Sequence, residues 1–343
     1  MTTSSSGQPI AVGLIGGGRM GAFHAETLAH RLPGVRLAAV ADPAPGAARR
    51  LAGPLGAQGL TDPAQLLADP SVDAVVIATP ARTHAGLVEA AARAGKAVYC
   101  EKPMALTLAD ADRAIDAAHE AGVPLQVGFN RRFDPGFRAA HDRIATGAIG
   151  TPQLLRSLTR DPKLADPAPI PPWTIFTETL IHDFDALRFL NPGAEPVEVF
   201  ALADALIRPD FKDRGLLDTA IVTVRFDNGA LATAEASFQA VYGYDVRGEV
   251  LGSGGMLTVG DLRRTHLTSY GPDGIGADCV TYDQDLFRDA YVAELAAFTD
   301  CARTGRTPEV TGQDARAALS IARAAIQSVR TGAPVRIDEL KDE

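Results

Sequence analysis

Cysteine is scarce in this sequence: only Cys100, Cys279 and Cys301 occur among 343 residues. Their spacing matches neither a disulfide framework nor a metal-binding knuckle, so no disulfide is needed and a reducing cytoplasm is the expected setting. No H-E-x-x-H pattern is present, and no metal is expected. No apolar run approaches the roughly 20 residues that a membrane span requires. Met1 to Pro9 are polar, rich in Ser and Thr and without the apolar stretch of a signal peptide, so a short disordered start is expected. Basic runs are also missing, and the formal net charge of -9 speaks against a nucleic-acid partner held through phosphates. There is no internal repeat. These absences leave an ordinary globular chain, whose 343 residues and 46% hydrophobic content suit two domains.

What is present begins with AVGLIGGGRMG, Ala11 to Gly21. Ile10, Val12, Leu14 and Ile15 read as a buried strand, and Gly16, Gly18 and Gly21 have G-x-G-x-x-G spacing ahead of a helical segment, Met20 to Arg31. The first glycine permits a tight turn, the second lets backbone N–H groups approach a pyrophosphate, and the third lets helix pack close to strand. The anion then sits on the positive helix end. A second apolar run, Val35 to Ala41, ends in Asp42, about twenty residues past the last glycine, where a ribose-binding acid belongs. A dinucleotide site is expected here, with NAD preferred because a carboxylate repels a 2′-phosphate. Nearby Arg49 and Arg50 leave NADP as second choice.

From Ile10 to Gly128, five apolar strands alternate with alanine-rich helices, the rhythm of a doubly wound parallel sheet: Ile10 to Ile15, Val35 to Ala41, Ala74 to Ala78, Ala97 to Cys100 and Pro124 to Val127. Beyond Gly128 longer strand-like runs follow one another, with Asp227-Asn228-Gly229 as a hairpin turn between two of them. The expected helices there are Phe133 to Thr146, Trp173 to Leu190, Leu286 to Thr304 and Gln313 to Thr331. Asp161 to Pro172, with five prolines, reads as a loop. The expected fold is α/β: an N-terminal Rossmann domain over residues 1–128, and an α+β domain over 129–343 with an open, mostly antiparallel sheet. Such a sheet leaves one face exposed, which favours oligomerisation.

Ligands of a doubly wound sheet lie beyond the carboxyl ends of its strands, so Gly16 to Gly21, Asp42, Thr79 with Pro80, and Glu101 to Pro103 should face one crevice. Taken alone Lys102 is a solvated lysine in a turn; its place at that edge gives it chemistry. In the segment Trp173 to Leu190, Glu178, His182 and Asp185 fall on one helical stripe, opposite Phe176, Leu180, Phe184 and Leu187. That stripe is a solvated face or a histidine tuned by carboxylates as a general base. His84 reads as a cofactor contact sooner than a catalytic group. Asn130, Arg131 and Arg132 read either as a charged linker or as hydrogen-bond donors at the crevice mouth.

Taken together, GGGRMG, the ATP of Ala78 to Pro80 followed by His84, CEKP at Cys100 to Pro103, GFNRRFDP at Gly128 to Pro135 and TLIHDFDALRFL at Thr179 to Leu190 resemble the glucose-fructose oxidoreductase / inositol dehydrogenase / MocA family. The run from Arg156 through TRDP to TLIHDFD is most similar to its inositol 2-dehydrogenase branch. The resemblance implies an NAD-dependent oxidoreductase acting on a secondary hydroxyl of a cyclitol or sugar, usually a homo-oligomer, a tetramer or dimer. It implies Lys102 and His182 as catalytic residues with Glu178 beside them. Cofactor contacts are expected from Gly16, Gly18, Arg19, Met20, Gly21, Asp42, Thr79, Pro80, His84, Glu101 and Lys102, and substrate contacts from Asn130, Arg132, Asp161 and Thr179. His182 would accept the hydroxyl proton while Lys102 stabilises the developing oxyanion. The family usually carries aspartate at the position of Glu178, which leaves the identity of the polyol open. A reductase of another pyranose or keto-sugar shares these motifs, as does an NAD-dependent glycoside-cleaving relative. A non-catalytic dinucleotide sensor would keep the first domain alone, and the presence of both Lys102 and His182 weighs against it.

Overall fold

A computed structural model describes residues 9–164 and 166–340. The expected disordered start falls almost wholly outside these, as does one residue of the proline-rich loop. The chain forms two compact units, one comprising the residues up to Gly128 together with Val292–Arg316, the other Phe129–Tyr291 together with the residues from Ala317 on.

The first unit is built on six strands: β1 (Ile10–Ile15), β2 (Val35–Ala41), β3 (Gln58–Leu60), β4 (Ala74–Ile77), β5 (Ala97–Glu101) and β6 (Leu125–Gly128). All pair in parallel, in the order β3-β2-β1-β4-β5-β6. Every residue of β1 and β4 is buried, as expected of a parallel sheet covered on both faces. The chain order reverses between β1 and β4, which opens the ligand crevice beyond their carboxyl ends. Strand β3 departs from the expectation of five strands. It has three residues and no apolar run, and Gly59 lies so close to Arg49 that a Cβ there would be 2.7 Å from the arginine Cα.

The first unit is completed from far along the chain. Leu295 and Phe298 of the helix Arg288–Thr304 lie in one core with Val12, Leu14 and Leu28. Val127 donates its N–H to the Val310 carbonyl, and Arg316 pairs with Asp112. A single break after Gly128 therefore leaves out a returning segment, because an apolar helix face does not specify in sequence which core it will enter.

In the second unit, strands β7 (Pro152–Arg160), β8 (Pro196–Asp204), β9 (Thr219–Phe226), β10 (Leu231–Ser237), β11 (Asp245–Gly252) and β12 (Gly255–Val259) form one open sheet. A separate ribbon comprises β13 (Arg263–Gly271) and β14 (Gly274–Cys279), and β15 (Val335–Arg336) joins the sheet edge. The sheet order is β12-β11-β7-β10-β9-β8-β15, and only β7 and β10 pair in parallel. The Asp227–Gly229 turn joins β9 to β10, with Gly229 at φ +87°. Along β9 burial alternates strictly, Ala220, Val222, Val224 and Phe226 pointing inward. The opposite face exposes Leu154, Leu202, Ile221, Leu231 and Leu251.

The close approach of helix Arg19–His30 to β1 depends on Gly21, where a Cβ would lie 2.0 Å from the Gly16 carbonyl oxygen. Gly21→Ala must force that packing apart. We expect about 1–3 kcal/mol of destabilisation in urea unfolding, the usual cost of overpacking; an unchanged midpoint would show that the helix shifts freely.

Candidate active site

Beyond the carboxyl end of β1, Gly16 adopts φ +105°, and a Cβ there would lie 2.4 Å from the Ala78 carbonyl oxygen. Gly18 is the N-cap of helix Arg19–His30, in extended conformation with no side-chain cap. A Cβ on Gly18 would meet nothing within 4 Å. The first and third glycines are thus fixed by contacts inside the protein, whereas the second faces open space at a helix N-terminus. That cradle fits a pyrophosphate, with Gly18 and Arg19 exposed and Met20 half-buried around it.

Asp42, at the end of β2, accepts hydrogen bonds from the N–H of Gly17 (2.7 Å, Oδ2) and of Ala44 (2.8 Å, Oδ1). The carboxylate is therefore immobilised beside the glycine turn, and each oxygen retains acceptor capacity for a ribose hydroxyl. The donor set fits NAD. Arg49 and Arg50 are exposed, and Arg50 donates to the Pro45 carbonyl (3.3 Å).

Thr79 and Pro80 follow β4; the Thr79 hydroxyl lies 2.7 Å from that of Thr83. His84 is buried, with Nε2 2.7 Å from the Thr79 carbonyl oxygen and Nδ1 2.7 Å from that of Pro103. Both ring nitrogens are occupied by backbone, so His84 braces the loop after β4 against the loop after β5. Lys102, half-buried, follows β5 directly and is joined to Pro103 by a cis peptide.

Glu101, the last residue of β5, points inward. Its Oε1 lies 2.7 Å from His24 Nε2, and its Oε2 accepts the Lys102 N–H at 3.3 Å. Burial alone would raise the pKa of this carboxyl, but the hydrogen bond from His24 and the nearby charges of His24, Lys102 and His84 outweigh it and hold it below the ordinary value.

In the second unit the segment expected as one helix divides into a π-turn, Ile175–Thr179, and an α-helix, Ile181–Phe189. The wider π-turn changes the angular spacing, so Glu178, His182 and Asp185 do not form the stripe expected of an unbroken helix. Glu178, Thr179 and His182 are half-buried, whereas Asp183 and Asp185 are fully buried. Asp185 receives a bidentate pair from Arg132, Nε to Oδ2 at 2.9 Å and Nη2 to Oδ1 at 2.6 Å. Asp183 receives Arg131 Nη1 (2.8 Å), the Ser157 hydroxyl (2.5 Å) and the Thr159 hydroxyl (2.7 Å). The arginines of the Asn130–Phe133 turn are thus committed inward as struts, because a buried aspartate requires a charged and hydrogen-bonded partner. Two such struts, one and three residues after His182, fix its helix. The His182 ring meets Phe129 edge-on, with centroids 5.9 Å apart.

Asn130 is buried at the start of its turn, and Asp161 follows β7 with its backbone bonded to Ser237 and Ala240. Tyr244 went unnoticed in the sequence. Burial pushes its hydroxyl pKa well above the ordinary value, and the charges of Asp161 and Asp283 push the same way. The signal that could have found it is Gly243, at φ +143°, where a Cβ would lie 2.7 Å from the Val280 carbonyl oxygen. Among the described residues no group of three His, Cys, Asp or Glu side chains could hold a metal ion.

Residues 10–129 match the family model described as an oxidoreductase family with an NAD-binding Rossmann fold, and residues 137–258 match the GFO/IDH/MocA C-terminal domain. The chain is 40% identical over 328 residues to scyllo-inositol 2-dehydrogenase (NAD(+)) of Bacillus subtilis, covering 95% of each chain. It is 38% identical over 335 residues to myo-inositol 2-dehydrogenase of Thermotoga maritima, covering 96% of this chain and 99% of the relative. The crystal structure of scyllo-inositol dehydrogenase from Lactobacillus casei with bound NAD(H) and scyllo-inositol is similar at a TM-score of 0.90 and 26% identity, covering 96% of this chain and 100% of that one. From the glycine cradle to the C-terminal sheet, the protein belongs to the GFO/IDH/MocA family of NAD-binding oxidoreductases.

Proposed function

We propose that the protein is an NAD-dependent inositol dehydrogenase that oxidises a secondary ring hydroxyl of a cyclitol. The observation that carries this reading is the end-to-end similarity to the two inositol 2-dehydrogenases, at 40% and 38% identity. The Gly18 cradle and the immobilised Asp42 support its cofactor side.

When bound, NAD supplies the hydride acceptor. The residues of the chain hold the alcohol and manage its proton and charge. His182 takes the hydroxyl proton at Nε2, its Nδ1 being buried. Lys102 stabilises the oxygen as negative charge develops on it, and Glu178 orients His182 or a neighbouring hydroxyl. Asn130, Asp161 and Thr179 contact further ring hydroxyls. Arg132, held by Asp185, contributes by fixing the His182 helix. The exposed apolar face of the β7–β12 sheet suits assembly into a dimer or tetramer, and three unpaired cysteines suit a reducing cytoplasm.

Initial rates of NADH formation with myo-, scyllo- and chiro-inositol test the roles. Lys102→Ala and His182→Ala are each expected to lose roughly a hundred- to ten-thousandfold in kcat, the usual worth of a positioned acid, base or charge, while still binding NAD. Full activity in either variant would remove that residue from the mechanism. Asp42→Ala is expected to weaken NAD by about 1.5–3 kcal/mol, the value of hydrogen bonds to a charged group, and to narrow the preference over NADP. An unaltered NAD/NADP ratio of kcat/KM would show that Asp42 does not read the ribose.

A further inference from the structure

Beneath the Lys102 turn the first unit contains a polar cluster with no part in the chemistry proposed above. The Glu101 carboxylate receives His24 Nε2 at 2.7 Å and, more distantly, the Tyr99 hydroxyl at 3.4 Å. Tyr99 donates its shorter hydrogen bond, 2.7 Å, to Oε1 of Glu294, which is 0% exposed. The Glu294 carbonyl accepts Gln126 Nε2 at 2.8 Å. Rings seal the group, with His24 edge-on to Tyr99 (5.6 Å) and Tyr99 tilted against Phe298 (5.8 Å). Five buried polar side chains are an expensive filling, since apolar residues of similar volume often serve a core as well or better. The arrangement needs a reason other than packing.

Its connections supply one. His24 lies on the helix whose N-terminus forms the Gly18 cradle, and Glu101 Oε2 accepts the N–H of Lys102. We propose that His24, Tyr99 and Glu294 are positioning residues, which hold the Glu101 carboxylate fixed under the Lys102 turn and tie that turn to the helix that receives the cofactor phosphates. The proposal rests on the catalytic role of Lys102 given above.

The electrostatics agree with the geometry. Burial raises the Glu294 pKa well above its ordinary value, and the neighbouring charge of Glu101 adds to this. Of the two carboxyls, Glu294 is thus the one biased toward its protonated form and Glu101 the one biased toward the anion. Facing the Glu101 carboxylate are His24 from the phosphate-binding helix, Lys102 beyond β5 and His84 at the start of the helix that follows β4. The Cys100 thiol, raised first by burial and then by Glu101, stays neutral. A group whose folded pKa is raised stabilises the fold fully at acid pH and loses that contribution as pH rises through the folded value.

The test uses the full chain with NAD. His24→Phe is expected to weaken NAD binding and to lower kcat together, each by roughly tenfold, within the scale on which small misplacements slow chemistry. Glu294→Ala is expected to lower kcat similarly, and Glu294→Gln, which imitates a protonated carboxyl, to restore most of that loss. The melting temperature of Glu294→Gln relative to the unaltered protein should climb as pH rises above the ordinary glutamate value. The proposal is overturned if His24→Phe leaves NAD affinity and kcat both unchanged, if Gln is no better than Ala at position 294, or if the melting difference is flat with pH. Should Glu294→Ala fail to fold, the pH dependence of Glu294→Gln still decides its protonation. Should the unaltered protein turn over no inositol, the proposed function fails, while NAD affinity in His24→Phe and the melting series continue to test the cluster.

Discussion

The first unit depends on a contact too short for any side chain, that between Gly21 and the Gly16 carbonyl. Because the helix begins so close to β1, its N-terminus points past the end of the strand instead of into the core, and Gly18 is left facing open space. The reversal of chain order between β1 and β4 opens the sheet at that place. The loop after β2 then brings Asp42 onto the Gly17 N–H, and His84 braces the loop after β4 against the turn after β5. A steric constraint in one turn thus organises a surface drawn from four strand ends.

The second unit reaches comparable rigidity by different means. The helix bearing His182 is anchored by buried charge, Asp183 on Arg131 and Asp185 on Arg132. Removing one partner of such a pair leaves an uncompensated charge in the interior and typically costs about 3–5 kcal/mol, so the helix has little freedom to drift. His182, which immediately precedes the first of these aspartates, inherits that fixity while remaining half-buried. Rigid support under an accessible imidazole is what a general base requires.

Most of the parallel sheet was legible in the sequence because fully buried strands are short apolar runs between turn residues; β1 and β2 begin and end at the expected residues. The glycine spacing and Asp42 were legible because each position answers a definite steric or electrostatic need. Strand β3 was not, since it has three residues and no apolar pattern. The π-turn at Ile175–Thr179 was hidden too, for one extra residue in a turn leaves no compositional mark. The inward arginines and the Glu101–Glu294 cluster were least visible of all. A charged residue reads as surface until its partner is known, and Glu294 lies 193 positions beyond Glu101 in the numbering.

All the roles given to the first unit rest on a dinucleotide seated over Gly18. Calorimetric titration of NAD into the unaltered protein and into Gly18→Ala measures this directly, since the added methyl meets no protein atom within 4 Å and can obstruct only what binds there. Saturable binding to the unaltered protein, weakened at least about tenfold in a variant of near-equal melting temperature, is the predicted result. Equal affinity in the two proteins would place the cofactor elsewhere and contradict the assignment of the glycine turn.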